Sequence, residues 1–473
     1  MSTQGQPRRA PQKFSRRDFL GLGGASAAFL VGSAMAGQGP LHALGARSAF
    51  GQPMERTDGY GELEDMGDIA LPRGFRYEII SRAGEPMSDG NPTPTYFDAM
   101  GTYRGPRGTT ILIRNHENRR STGRQNETDV VVPPEFRYDE LPQFNAGNTK
   151  LVVGGNREVV EDYAILGGTS TNCAGGVMPW NSWIACEEVF QDGAEPHGYN
   201  FEMDAGAEGP VRAVPIKAAG RFVHEAVAWM DGILYETEDQ SGNSCFYRYI
   251  PDGNINGPGQ LAESTGRLQA LVITGEPNRN TDKGFPVGEP FEVEWVGIDD
   301  PDPPTDTIRF QAAAKGAALF DREEGAWTGN GKIYFDCTSG GDADAGQIWE
   351  FDPRRQTLTL IYESPGQDEL ESPDNIVVAP RTGDIFICED GGDPQYIRGV
   401  TQQGEIYDFA MSITDGSEFA GACFSPGGNT LFVNQQGGSA ASNPGRTYAI
   451  WGPFARRRRG GRPGNGGPGG SRP

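Results

Sequence analysis

His224-Glu-Ala-Val-Ala-Trp-Met-Asp-Gly-Ile-Leu-Tyr-Glu-Thr-Glu-Asp239 reads as one β-hairpin. Two short runs rich in β-branched, aliphatic and aromatic residues flank Met230-Asp-Gly232, and Asp-Gly supplies the positive backbone φ of a tight reversal. Acids stand at both outer ends, Glu225 at the start and Glu238 with Asp239 at the finish. The same second strand recurs as Thr109-Thr-Ile-Leu-Ile-Arg-Asn-His-Glu117, Ser182-Trp-Ile-Ala-Cys-Glu-Glu188, Gly331-Lys-Ile-Tyr-Phe-Asp-Cys-Thr338, Gly383-Asp-Ile-Phe-Ile-Cys-Glu-Asp390 and Asn429-Thr-Leu-Phe-Val-Asn-Gln-Gln436. First strands open at Asn172-Cys173, Glu323-Glu324, Pro373-Asp374-Asn375 and Glu418-Phe-Ala-Gly421.

Several repeats lie about 50 residues apart, the size of a four-stranded propeller blade. The expected fold is all-β, a six-bladed propeller with insertions in 118–160 and 250–310. A β-sandwich would use similar strands but has no need of a repeated polar ending. The 69 Gly and 35 Pro among 473 residues exclude a long-helix protein. After the first 36 residues no apolar run is long enough to span a bilayer.

Charge is unevenly placed along the chain. The total is -23, yet both ends are basic, so the middle is more acidic still. Such a body repels nucleic acid and anionic membrane unless cations offset it. Ser15-Arg-Arg-Asp-Phe-Leu20 followed by a weakly apolar, glycine-bearing stretch and Ala34-Met-Ala36 has the form of a twin-arginine export signal. The expected organisation is a signal over 1–36, a linker over 37–60, the propeller over 61–454 and a Gly/Arg/Pro-rich disordered tail over 455–473. Export places the protein in the periplasm or outside the cell, with the twin-arginine machinery as partner.

An antiparallel hairpin brings the start of its first strand to the end of its second. Cys173 therefore lies near Glu187 and Glu188, Glu225 near Glu238 and Asp239, and Asp374 near Glu389 and Asp390. A propeller gathers these ends at one mouth of its channel. Bare carboxylates so crowded could not all ionise, and multivalent cations resolve the conflict. Oxygen ligands suit hard ions such as Ca²⁺, and with four His in all a His-rich zinc or copper site is unlikely to form. Cys173 is either a buried thiol, half of a disulfide, or a ligand better suited to iron. Cys186 and Cys388 hold matching strand positions, which suits core packing. Arg322, two residues before Glu324, offers a fork that matches phosphate; a salt bridge to Asp321 or Glu323 is the alternative.

Asn115-His-Glu117, Asn172-Cys-Ala-Gly-Gly-x-x-Pro-Trp180, Cys186-Glu-Glu188, Arg221-Phe-x-His-Glu-Ala226, Thr237-Glu-Asp239, Arg322-x-Glu-Gly325, Cys388-Glu-Asp-Gly391 and Ile450-Trp-Gly-Pro453 together resemble the PhoX family of bacterial alkaline phosphatases. The resemblance runs from about residue 70 to 454, with the motifs in order. It implies hydrolysis of small phosphomonoesters at a cluster of iron and calcium ions, Fe³⁺ and Ca²⁺. It also implies that the iron-ligating cysteine falls on Cys173, and the phosphate-binding arginine with its nearby glutamate on Arg322 and Glu324. Further ligands fall among Glu187, Glu188, Glu225, Glu238, Asp239, Glu324, Asp374, Glu389 and Asp390. A calcium-dependent propeller lactonase or phosphotriesterase, and a metal-stapled binding propeller without catalysis, are the two rival readings.

Overall fold

The computed structural model describes residue 57 and residues 59–454. The expected export signal, nearly all of the linker and the tail lie outside them. Six inner strands, Phe97–Arg104, Asn172–Met178, His224–Met230, Glu323–Gly329, Pro373–Val378 and Phe419–Phe424, stand around one axis. Each packs beside the next in chain order, and the sixth packs back on the first. Each also pairs antiparallel with the strand that follows it, from Thr110–His116 round to Thr430–Gln435. The turns are as their sequences demand: Asp231-Gly232 and Asn330-Gly331 both place two successive residues at positive φ, the geometry that matches the strand twist.

The architecture is an all-β propeller, but the expected six separate four-stranded blades do not form. Four sheets have four or more strands, alongside a three-stranded sheet and a two-stranded ribbon. The reason is lateral pairing: Pro290–Gly297, in the expected insertion, bonds to Thr357–Glu363 and fuses two would-be blades into one nine-stranded sheet. One sheet joins strands from near the two ends of the described residues: Arg76–Arg82 pairs with Arg446–Trp451, covering the edge of the later strand and standing itself as the outer strand of that sheet. Tyr60, at the end of the expected linker, is buried and donates to the Phe454 carbonyl at 2.7 Å. Among the described residues no helix is long and apolar enough to cross a membrane.

Small residues line the axis, among them Ala99, Ala174, Gly175, Ala226, Gly325, Gly421 and Ala422, and only about 20 Å³ remains between them, room for about one water. Close approach explains two of the glycines. A Cβ on Gly176 would stand 2.0 Å from the Val227 carbonyl oxygen, and one on Gly325 would stand 2.7 Å from the Asp374 carbonyl oxygen. Trp327 fills the centre and packs against four separate apolar clusters. Trp327 and the small residues together leave little free space along the axis. Trp327→Ala should lower unfolding free energy by about 3 kcal/mol, read from urea denaturation.

Candidate metal centre

The mouth is built by one rule repeated around the ring. The second residue of five inner strands is Asp98, Cys173, Glu225, Glu324 or Asp374. Just after it the ladder slips, with register shifts at Phe97/Met100, Asn172/Gly175, His224/Val227, Glu323/Ala326 and Pro373/Asn375. Such bulges re-aim side chains. The residue just past each second strand is Glu117, Glu188, Asp239, Thr338, Asp390 or Gln436. Each of these six donates its N–H to the carbonyl of the residue just before the inner strand, at between 2.8 and 3.2 Å. Four of those carbonyl residues, Tyr96, Thr171, Arg322 and Ser372, hold positive φ without being glycine, a strain found most often at functional sites.

The result is a continuous acidic chain. Asp98, Glu117 and Cys173 form one group of ligand atoms within 4.8 Å of one another; Cys173, Glu188 and Glu225 form the next. Glu225, Glu324 and Asp374 follow, and Asp374, Asp390 and Glu418 complete it. Cys173, Glu225 and Asp374 are each shared by two groups. The Cys173 end is buried and the Glu418 end is half-buried, so the array rises from the core to the mouth. Cys173 Sγ lies 3.5 Å from Asp98 Oδ2. All six cysteines are free thiols, which removes the disulfide alternative.

Electrostatics make the array costly without cations. Burial, then Asp374, holds the Asp98 carboxyl well above its usual range. Burial and neighbouring acids do the same to Glu225, Glu324 and Glu418. Asp374 is pushed up to about 7 by burial, Asp390 and Glu188, and Asp239 to about 6, chiefly by burial. The Cys173 thiol is raised by burial and by Asp98. Glu188 goes the other way: burial opposes it, but Arg119, Asp239 and Arg322 hold its carboxyl below the usual value. Glu225 decides the chemical fit. It is fully buried, and neither carboxylate oxygen has a hydrogen-bond partner. An oxygen-rich cation site with one thiolate satisfies both oxygens, and hard ions with iron at the sulfur end suit the donor set.

Two arginines bear on the same acids. Arg322 forks onto Asp239, with Nε and NH2 each 2.8 Å from an oxygen, and NH2 reaches Glu324 Oε1 at 2.6 Å. Its ion pairs are therefore with site acids rather than with Asp321 or Glu323. Arg119 contacts Glu117 and Glu188.

Seven of the expected residues come together: Cys173, Glu188, Glu225, Glu324, Asp374 and Asp390 in the array, and Asp239 beside it. Glu187, Glu238 and Glu389 do not. Each is the last residue of its strand, and alternation turns it away from its successor. Glu187 accepts from His197 Nδ1 at 2.7 Å and from the Gly198 N–H at 2.8 Å. Glu238 accepts from the Tyr247 hydroxyl at 2.7 Å, and Glu389 from Arg398 Nε at 2.8 Å. These three pin the hairpin ends. Sequence reading passed over Asp98, Glu117, Glu418 and Arg119 as site residues. Glu117 and Glu418 stood in the quoted repeats, and Asp98 holds the same second-strand-position as Cys173.

Residues 58–438 match the family described as alkaline phosphatase PhoX. The chain belongs to that family. Among solved structures it is similar to Pseudomonas fluorescens PhoX in complex with vanadate, a transition state analogue. That match has 17% identity and a TM-score of 0.63, and covers 85% of this chain and 97% of that one. It is also similar to the WD40 domain of Toxoplasma gondii coronin at 10% identity and a TM-score of 0.38, covering 82% and 89% of the two chains. A comparison with curated proteins finds no match. The PhoX family is metal-dependent, which agrees with the donor set.

Metal-free, the raised carboxyls bind more protons folded than unfolded between roughly pH 4 and 7. The chelated protein should therefore lose stability as pH rises across that window. Added calcium should raise its melting temperature more at pH 8 than at pH 5, because the ions no longer compete with protons. Calorimetric scans at both pH values check this; a metal-free melting curve indifferent to pH would mean the acids are solvated.

Proposed function

We propose that this PhoX-family chain hydrolyses phosphomonoesters at the acidic mouth, with iron and calcium held along the ligand array. The observation that carries this reading is the unbroken run of carboxylates from Asp98 to Glu418 with one thiol inside it and an arginine fork at its rim. Cys173 with Asp98 and Glu117 suits iron, while the all-oxygen groups around Glu225, Glu324, Asp374, Asp390 and Glu418 suit calcium. When bound, such ions supply the Lewis acidity that stabilises phosphoryl and attacking oxygens. Cys173 among the acids argues against a calcium-only lactonase or phosphotriesterase.

The protein's own side chains do the positioning. Arg322 is just over a third exposed, so its guanidinium can reach a phosphoryl oxygen arriving from solvent. Asp239 and Glu324 fix its plane, and the positive φ at Arg322 sets where the side chain starts. With Nε and Nη2 engaged by Asp239 and Glu324, Nη1 is the donor left for a phosphoryl oxygen, a charged contact that strengthens as negative charge builds in the transition state.

Twin-arginine export and a periplasmic or extracellular location complete the proposal. They rest on Ser15-Arg-Arg-Asp-Phe-Leu20 and on the usefulness of exporting a chain already folded around its ions.

Elemental analysis of the purified protein should find iron and calcium together. Cys173→Ala should remove the iron and most turnover of a simple phosphomonoester; an active wild type free of iron would defeat the iron assignment. Arg322→Lys keeps the charge but loses the fork. It should cost on the order of 3 kcal/mol in transition-state binding, about a hundredfold in rate, at unchanged metal content. Near-normal turnover in that variant would remove Arg322 from the site.

A further inference from the structure

Arg119 stands outside the strand repeat, yet it reaches deep into the array. Its NH2 bridges Glu117 and Glu188, and its charge is also felt by Cys173, Glu418 and Asp98. Its Nε is buried and has no hydrogen-bond partner. A quarter of the side chain remains exposed, so the guanidinium spans from solvent to ligands. Its backbone is held in place: the Arg119 N–H donates to Glu127 Oε1 at 2.6 Å, and Glu127 in turn accepts from Asn145 at 2.9 Å. Arg124 takes a second grip on the same acid, with NH1 3.1 Å from Glu117 Oε2. The loop thus delivers a preset cation to the mouth.

Arg119 contacts Glu188, Arg322 forks onto Asp239, and the Asp239 and Glu188 carboxyls are hydrogen-bonded to each other, so the two guanidiniums stand at either end of one acid pair. Once multivalent cations draw on Glu117 and Glu188, Arg119 has donors to spare, beginning with the unpartnered Nε. We propose that Arg119 is a second substrate-binding residue, closing with Arg322 on the terminal phosphoryl group, and that this pair favours the dianion of a monoester over the monoanion of a diester. The proposal rests on the phosphatase reading for its substrate. Its physical basis is separate: two full positive charges bind two negative charges better than one, and a guanidinium can grip two oxygens at once.

The test uses the metal-loaded full-length protein as wild type, Arg119→Lys and Arg119→Gln. Inorganic phosphate binding is read by calorimetry. Turnover is read on a simple phosphomonoester and its diester counterpart, and iron and calcium on the same preparations. Arg119→Gln should weaken phosphate binding roughly a hundredfold, with metal content intact. It should also lower kcat/KM for the monoester at least about tenfold more than for the diester, with Arg119→Lys falling between. Phosphate affinity within about twofold of wild type in the Gln variant would overturn the proposal. So would losses in both variants that track lost metal, since Arg119 would then serve only to hold the ligands. A wild type that binds phosphate through Arg119 but turns over neither ester would defeat the phosphatase reading and leave Arg119 as an anion-binding residue.

Discussion

Mutual repulsion among buried carboxylates is the constraint around which this molecule is arranged. Closing a ring of hairpins brings the same end of each hairpin to one place, and here those ends carry Asp98, Glu117, Glu188, Glu225, Glu324, Asp374, Asp390 and Glu418. Geometry alone would make that mouth the weakest part of the fold. Counter-charge is therefore required, and the structure supplies some from its own chain: Arg119 and Arg322 each lie across two acids. Two monovalent groups cannot neutralise eight acids. The remainder is an excess of oxygen donors and negative charge, which suits small multivalent cations.

The acids that do not face the mouth show how tightly the rest is organised. Glu187, Glu238 and Glu389 sit one residue from Glu188, Asp239 and Asp390, and each is absorbed by a dedicated partner: His197, Tyr247 with Arg309, and Arg398. A strand end that carries two acids thus uses one as a structural pin and turns the other to the mouth, Glu188 and Asp390 into the array and Asp239 onto Arg322. The pins stiffen the peptide that aims the ligands. Six backbone bonds from the residues just past the second strands, three of them array acids, to the carbonyls ahead of the inner strands do the same work in the main chain.

Much of this was legible in the sequence, for physical reasons that also set the limit. The hairpins announced themselves through Asp-Gly and Asn-Gly turns and through strands that end in acids, and antiparallel pairing then placed both ends together. What could not be read was the side each acid takes. Glu187 and Glu188 are the same residue type one step apart, and which faces the axis depends on where the ladder stops. Bulges after the second inner-strand residue are likewise invisible without coordinates, so Asp98 looked like an ordinary strand residue. Arg119 lies in an insertion with no counterpart in the other repeats. The count of blades failed for a similar reason: pairing of Pro290–Gly297 with Thr357–Glu363 is a contact between distant segments that no local pattern encodes.

The seam between Arg76–Arg82 and Arg446–Trp451 has a consequence for how the protein is made. The first of these strands leaves the ribosome well before the second and has no partner until Arg446–Trp451 has been synthesised. Until that moment the sheet that begins with Phe419–Phe424 lacks its two outer strands, although Phe97–Arg104 and Phe419–Phe424, which pack side by side, are both already made. A nascent chain stalled short of residue 446 therefore holds every acid of the mouth but lacks the strand that ties Arg76–Arg82 into its sheet.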